Sequence, residues 1–299
     1  MVGQVRSRAT AVSVTHGRSW TLAQGYPQPG VLGPGVSYRG FVVSSGQARR
    51  RLEVPTGFVT LVIGFGGPLQ LIDALDRQPP KSMVSLVSGV QTTAHIGEHA
   101  GHLSGVEVSI PPLVAHRLFG VDMDELANEF VDPAVLLGRK AASLADRLAE
   151  AQSWAERFAI LDTVLAERAE PGRLCAPEVA WAWGRLTDGT TANVAQLLTE
   201  TGWSRRRMER RFREYVGVPP KAVGQIARLQ RALYLQDSGV PLAQVATRAG
   251  FHDQAHLTRG IKAMTGLSPR PLTLAQAQTL RDPLVDRIAA LVTTVVLAE

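Results

Sequence analysis

Two stretches decide the fold. Residues 197–212 read LLTETGWSRRRMERRF, and residues 245–261 read VATRAGFHDQAHLTRGI. Aligning Gly202 with Gly250 sets Trp203 against Phe251. After one shift it also sets Met208 against Leu257 and Arg210 against Arg259. In each stretch a short helix must stop, turn and restart within a few residues. Gly202 and Gly250 can take the left-handed conformation that such a turn requires. Ser204 and Asp253 can then cap the second helix through a side-chain oxygen. Met208 and Phe212, four apart, predict an inward face, as do Leu257 and Ile261. The opposite face is left to Arg206, Arg207, Arg210, Gln254, His256 and Arg259. These are side chains able to bond base edges or phosphates. Each stretch is therefore expected to be a helix-turn-helix. The apolar positions of residues 220–238 predict one helix between them, long enough to hold the units about a turn of DNA apart.

Charge points the same way. The 299-residue chain has a net charge of +6. Residues 1–185 hold 17 Lys/Arg against 17 Asp/Glu, whereas residues 186–299 hold 15 against 9. Within residues 186–274 the count is 13 against 6, and six of those arginines fall at 205–213. A neutral half joined to a basic half predicts that only the second meets a polyanion. In that setting a solvated helix face is the lesser reading of the arginine run. For any single arginine, a phosphate contact or an ion pair with an acid such as Glu214 competes evenly with base reading. Trp203 is expected to pack in the turn.

Residues 190–272 resemble the DNA-binding domain of the AraC/XylS family of bacterial transcription regulators. The resemblance rests on Gly202-x-Ser204, Met208-x-Arg210-x-Phe212 and Gly217-x-x-Pro220. It continues through Val245-Ala246, Gly250-Phe251-x-Asp253-Gln254-x-His256-Leu257-x-Arg259 and Gly266-x-Ser268-Pro269. It implies recognition helices over 204–214 and 253–264. It also implies double-stranded promoter DNA as partner, through Arg205, Arg206, Arg207, Arg210, His252, Gln254, His256, Thr258 and Arg259. Leu198, Leu257, Ile261 and Glu209 depart from the family's usual residues, so the bases read are left open.

The rest of the chain has a different texture. Residues 24–36 are rich in Pro and Gly, and residues 1–36 are expected to form a flexible segment. Short runs rich in Val, Ile, Phe and Thr over 38–119 predict a sandwich or small barrel. Helical periodicity follows over 122–185. The expected class is thus α+β in two domains. Residues 37–186 are expected to form a β-rich domain with helices, which the resemblance implies to be cupin-like, and residues 187–274 an all-α domain with two helix-turn-helix units. Residues 275–299 are expected to be a helical extension.

The family's usual plan implies that the first domain binds a small-molecule effector or pairs two copies into a homodimer, with RNA polymerase as a further partner. An apolar pocket lined from Phe58, Leu61, Ile63, Phe65, Val84 and Leu86 is the default effector site, though ordinary core competes for most of them. His95, His99 and His102 could in principle hold a metal. The intervening Gly97, Gly101 and Gly105 suggest a loop or hairpin instead, so neither metal nor other cofactor is expected.

Catalysis finds little support. The single Cys175 has no His nearby, no Gly-x-Ser-x-Gly elbow occurs, and GFGGP at 64–68 lacks the Lys-Ser/Thr ending of a phosphate loop. A regulator rather than an enzyme is expected. The alternatives are a metal-dependent cupin-like enzyme, or a dimerisation module without ligand, fused to the DNA-binding part. One cysteine, no signal-type segment and no apolar run of spanning length give a cytoplasmic, non-membrane expectation.

Overall fold

The structure, a computed structural model, describes residues 12–14, 19–138, 140–168, 175–188, 193–279, 287–288 and 291–297. The chain opens with strands β1 (Val12–Val14), β2 (Ser19–Gly25), β3 (Ser37–Ser44), β4 (Arg49–Glu53), β5 (Val59–Gly64) and β6 (Leu69–Asp73). Then come β7 (Lys81–Met83), β8 (Leu86–Ser88), β9 (His95–His99) and β10 (His102–Ile110). Helix α1 (Pro112–Phe119), a 3-10 turn at Met123–Glu125 and strand β11 (Phe130–Val131) follow. They lead into α2 (Pro133–Leu137), α3 (Lys140–Glu150), α4 (Trp154–Ala166) and α5 (Pro177–Thr187).

Two antiparallel sheets result. One has the order β1-β2-β3-β10-β5-β8-β11, and the other contains β4-β9-β6-β7. Strand β2 pairs along its whole length with β3, Trp20 opposite Val43. The segment expected to be flexible over 1–36 therefore supplies a sheet strand. Trp20 and Ala23 are buried, and their apolar area outweighs the ordering cost that an all-polar tail could not meet. Residues 1–11 lie outside the described residues.

The larger sheet has two apolar faces with different jobs. Leu61 and Ile63 of β5, with Val106, Val108 and Ile110 nearby, lie in the core under the helices. Thr60, Val62 and Gly64 of β5 line a cavity on the opposite face. Tyr38 fixes this arrangement. Its hydroxyl donates to Asp162 Oδ1 of α4 at 2.7 Å, and Gln28 N donates to Oδ2 at 3.1 Å. Burial and the adjacent carboxylate hold the Tyr38 hydroxyl far above the usual phenol range, so it stays a proton donor.

The second half is helical: α6 (Val194–Thr201), α7 (Arg205–Val216), α8 (Pro220–Asp237), α9 (Leu242–Arg248), α10 (Gln254–Thr265) and α11 (Pro269–Thr279). In the extension after 275 the described helix reaches Thr279, and residues 280–286 lie outside the described residues. Strand β12 (Arg287–Ile288) pairs with β13 (Leu291–Val292), and β14 (Thr294–Val296) joins the edge of the smaller sheet beside β4. The helical expectation for 275–299 is corrected there. The run is rich in β-branched Val and Thr, and an open sheet edge satisfies its backbone.

Candidate nucleic-acid interface and ligand cavity

Each helix-turn-helix is built by local chemistry. Asn193 caps α6 in a reciprocal box with Gln196. Gly202 ends that helix at φ 66°, and the Ser204 side chain accepts from Arg207 N to start α7. In the second unit Gly250 stands at φ 82°, and the Asp253 side chain accepts from His256 N at 2.6 Å to start α10. Met208 and Phe212 of α7 are fully buried, as are Leu257 and Ile261 of α10. The single helix α8 has 18 residues and is about 27 Å long, so it joins the units as a rigid spacer.

The nine expected contact residues divide in two. Arg205, Arg206, Arg210, Gln254 and Arg259 are exposed near the start or middle of α7 and α10. The others make local contacts. The Arg207 guanidinium stacks 4.3 Å from the Trp203 ring, which is itself buried in the turn. His252 Nδ1 lies 3.1 Å from the Asp253 carboxylate, and His256 Nδ1 accepts from His252 N at 3.3 Å. Thr258 donates to Gln254 O within its own helix. Glu214 of α7 pairs with Arg211, whose guanidinium reaches both of its carboxylate oxygens, at 2.8 and 2.7 Å. Neither Arg210 nor Arg259 makes that contact.

A cavity of about 170 Å³ lies between the two sheets. Phe58, Val84 and Leu86 line it as expected, whereas Leu61, Ile63 and Phe65 do not. Apolar residues occupy both faces of β5, so the sequence does not say which face is hollow. The cavity also contains charges that the sequence reading did not assign: Arg39 and Glu107, which form an ion pair, and Arg51 and Glu53 of β4. A signal was present, since positions 51 and 53 fall on one face of any strand. Burial raises the Glu53 carboxyl, and the Thr294 hydroxyl donates to it at 2.8 Å.

Of the three histidines, His95 and His99 lie on the cavity face of β9, while His102 is exposed and contacts Ser44 across the β3–β10 pair. The three do not converge. Among the described residues no three His, Cys, Asp or Glu side chains are placed to hold a metal ion. The thiol of Cys175 is pushed up to about 11 by burial and is not a poised nucleophile.

Two recognition-type helices on one rigid spacer define a double helix-turn-helix DNA-binding domain. Residues 197–273 match the helix-turn-helix domain family, and this domain is of the AraC type. No curated protein matches the chain. Among solved structures the chain is similar to ToxT from Vibrio cholerae O395, with 10% identity over 81% of this chain and 98% of that one, at a TM-score of 0.44. ToxT from Vibrio cholerae strain SCE256 with bound unsaturated fatty acid gives 12% identity over 80% and 94%, at 0.40. The AraC-like transcriptional activator CuxR gives 11% over 85% and 91%, at 0.32. No helix among the described residues is long and apolar enough to cross a membrane.

Proposed function

We propose that this protein is a sequence-specific DNA-binding transcription regulator whose β-rich half binds a small molecule. The observation that carries the reading is the pair of capped recognition helices presenting Arg205, Arg206, Arg210, Gln254 and Arg259 to solvent from one continuous scaffold. Arginine and glutamine are the side chains suited to bidentate contacts with guanine and adenine edges in the major groove. The surrounding positive charge supplies affinity for phosphate. His252, His256, Thr258 and Arg207 belong to the same surface. Their local hydrogen bonds and stacking support a role in holding the helix starts and facing the backbone rather than in reading bases.

The ligand half of the reading is supported by the cavity between the sheets and by its connection to the DNA-binding half. Pro55 and Thr293 line the cavity. The Gln230 side chain, on the spacer helix α8, donates to Pro55 O at 2.7 Å and to Val292 O at 2.9 Å, and accepts from Val292 N at 2.9 Å. A ligand that shifts this wall acts on the helix that spaces the two recognition helices.

The test is a fluorescence-anisotropy titration of the full chain with its own upstream DNA and with random DNA at about 150 mM salt. The expected outcome is a preference for the upstream fragment of at least about 1000-fold. Equal affinity for both would overturn the reading.

A further inference from the structure

We propose that the molecule moves as two bodies that do not follow its two domains. Each body joins one sheet of the β-rich half to one helix-turn-helix unit, and the cavity is the gap between them. The division rests on packing alone; its use in regulation rests on the reading of the cavity as a ligand site and of the helices as a DNA reader.

The apolar core carries the division. One continuous cluster runs from Leu61, Val108 and Ile110 of the larger sheet to Leu197, Met208 and Phe212 of the first unit. A second runs from Leu52 and Val54 of the smaller sheet to Val245, Leu257 and Ile261 of the second unit. Among the described residues no buried side chain belongs to both, and the partly buried Met264 packs against each. A close-packed core transmits a displacement rather than absorbing it.

The backbone repeats the pattern. Each recognition helix ends against a different part of the β-rich half. Helix α7 closes at Gly217, where a Cβ would stand 2.7 Å from the carbonyl oxygen of Met123, itself a member of the first core. Helix α10 closes at Gly266, where a Cβ would stand 2.7 Å from the carbonyl oxygen of Ala74, directly after β6. Ala94 N, directly before β9, donates to Met264 O of α10 at 2.7 Å. Strands β6 and β9 are paired in the smaller sheet. Neither approach leaves room for a side chain, so each helix end follows the segment that it touches.

The spacer helix is the hinge. Val223 and Ile226 of α8 lie in the first core, whereas Leu229, Ala232 and Leu233 lie in the second. The change of core falls within one turn, at Ala227 and Arg228. Gln230 stands just beyond it and bonds Pro55 and Val292, which flank the second core. Contacts that span the gap include the ring of His95 against Phe130 at 4.7 Å and the exposed Lys81–Glu129 pair at 3.1 Å. A surface pair of that kind contributes little.

The cavity sits where the bodies face one another. Thr60 and Glu107 line it from the larger sheet, and Gly97 and His99 from the smaller. Occupancy that changes the distance between the sheets therefore changes the distance between α7 and α10. That distance sets the phase of their two groove contacts on DNA.

The test is native-state hydrogen exchange of the full-length protein over increasing urea, without DNA or ligand. Helix α7 is expected to open together with β5 and β10, and α10 together with β4 and β9, as two units of different stability. Opening of the two recognition helices together and apart from both sheets, or one unit for the whole molecule, would overturn the division. Leu52→Ala, verified as folded by circular dichroism, is expected to speed exchange at α10 by at least about tenfold more than at α7, and Ile110→Ala to do the reverse. Equal effects on both helices, or an effect on neither, would overturn it as well. The link to the cavity is read from nitroxides at Arg213→Cys and Ala263→Cys, both exposed positions, in a Cys175→Ala background. Gly97→Trp, which sets an indole between the sheets, is expected to shift the label separation by about 2 Å. An unchanged separation in the folded variant would overturn the link. The DNA titration separates this inference from the reading beneath it. Retained DNA preference with a different exchange grouping removes the two bodies alone, whereas lost DNA preference counts against the regulator.

Discussion

His99 and His95 are both buried and both held below the ordinary histidine range. Burial is the leading cause for each. Arg51, Arg49 and His102 add to it at His99. At His95 the Arg77 and Lys81 charges oppose that of Asp73. The unfolded chain binds a proton on each near pH 6.5, while the folded protein keeps His99 neutral down to about 4. Between those values the unfolded state holds more protons, so stability falls as pH falls. The contribution from His99 alone is of order 3 kcal/mol across that window. Urea denaturation at pH 7 and pH 4.5 should show the loss, and His99→Gln should flatten the slope. An unchanged slope in that variant would remove His99 as its source. The arginines of α7 divide by the same kind of local fact. Arg206→Ala and Arg210→Ala should each cost about 1–3 kcal/mol in DNA affinity where the side chain reads a base. Arg211→Ala, which breaks the bidentate contact with Glu214, should act mainly on helix stability. Anisotropy titrations and thermal melts of the three variants distinguish these outcomes. The residue types at the interface were legible from sequence, because arginine, glutamine and glycine each have a narrow set of uses at a turn and a helix start. The cavity charges were not. Alternation places Arg51 and Glu53 on one face but does not say whether that face meets solvent, core or a hollow.

Among the elements, the two recognition helices start at caps that sequence alone identifies, and those caps hold most of their local specification. Ser204→Ala and Asp253→Ala should each lower stability by about 1 kcal/mol and fray the first turn of α7 and of α10. DNA affinity should fall with them, since Arg205, Arg206 and Gln254 sit in those turns. Hydrogen exchange at the first-turn amides checks the mechanism, and a cap variant with protected amides would contradict it. Elements that depend on a distant partner were harder to read. The last strand, β14, has only three residues and forms against β4 through Thr294–Glu53, Val295–Leu52 and Val296–Arg51. Nothing near it in sequence announces that partner, about 240 positions away. Its short apolar run fits a helix end as well as a strand by periodicity. The ambiguity of β5 has the same origin, because a strand covered on both faces loses the alternation that would orient it.

At the scale of the whole molecule, the two helix-turn-helix units do not hang from a free tether. The core of the first, with Leu197, Met208 and Phe212, is continuous with the β-domain core. His116 of α1 packs at 4.5 Å on Tyr215 of α7. At Gly217, with φ 93°, a Cβ would stand 2.7 Å from Met123 O, so no side chain fits there. The core of the second unit includes Leu52 and Val54 of the smaller sheet, and Ala94 N donates to Met264 O at 2.7 Å. Between these two anchorages stands Gln230, 4% exposed, which ties the spacer helix to the β4–β5 connection and to the returning C-terminal strand. This joint makes a quantitative prediction. Gln230→Ala leaves a buried carbonyl of Pro55 and both backbone groups of Val292 without that partner, at roughly 1–3 kcal/mol for each group left unsatisfied. Deleting residues 291–299 removes the burial of Val292 and Val295 and two of the three Gln230 bonds. If the strand and the glutamine form one joint, the two changes cannot add. Gln230→Ala should cost about 2 kcal/mol less in the truncated chain than in the full chain, because only its bond to Pro55 remains to be lost. Chemical denaturation of the four proteins in the cycle measures the difference. Strict additivity would mean that the strand and the spacer helix are stabilised independently, and the cavity wall would then lose its direct line to the recognition helices.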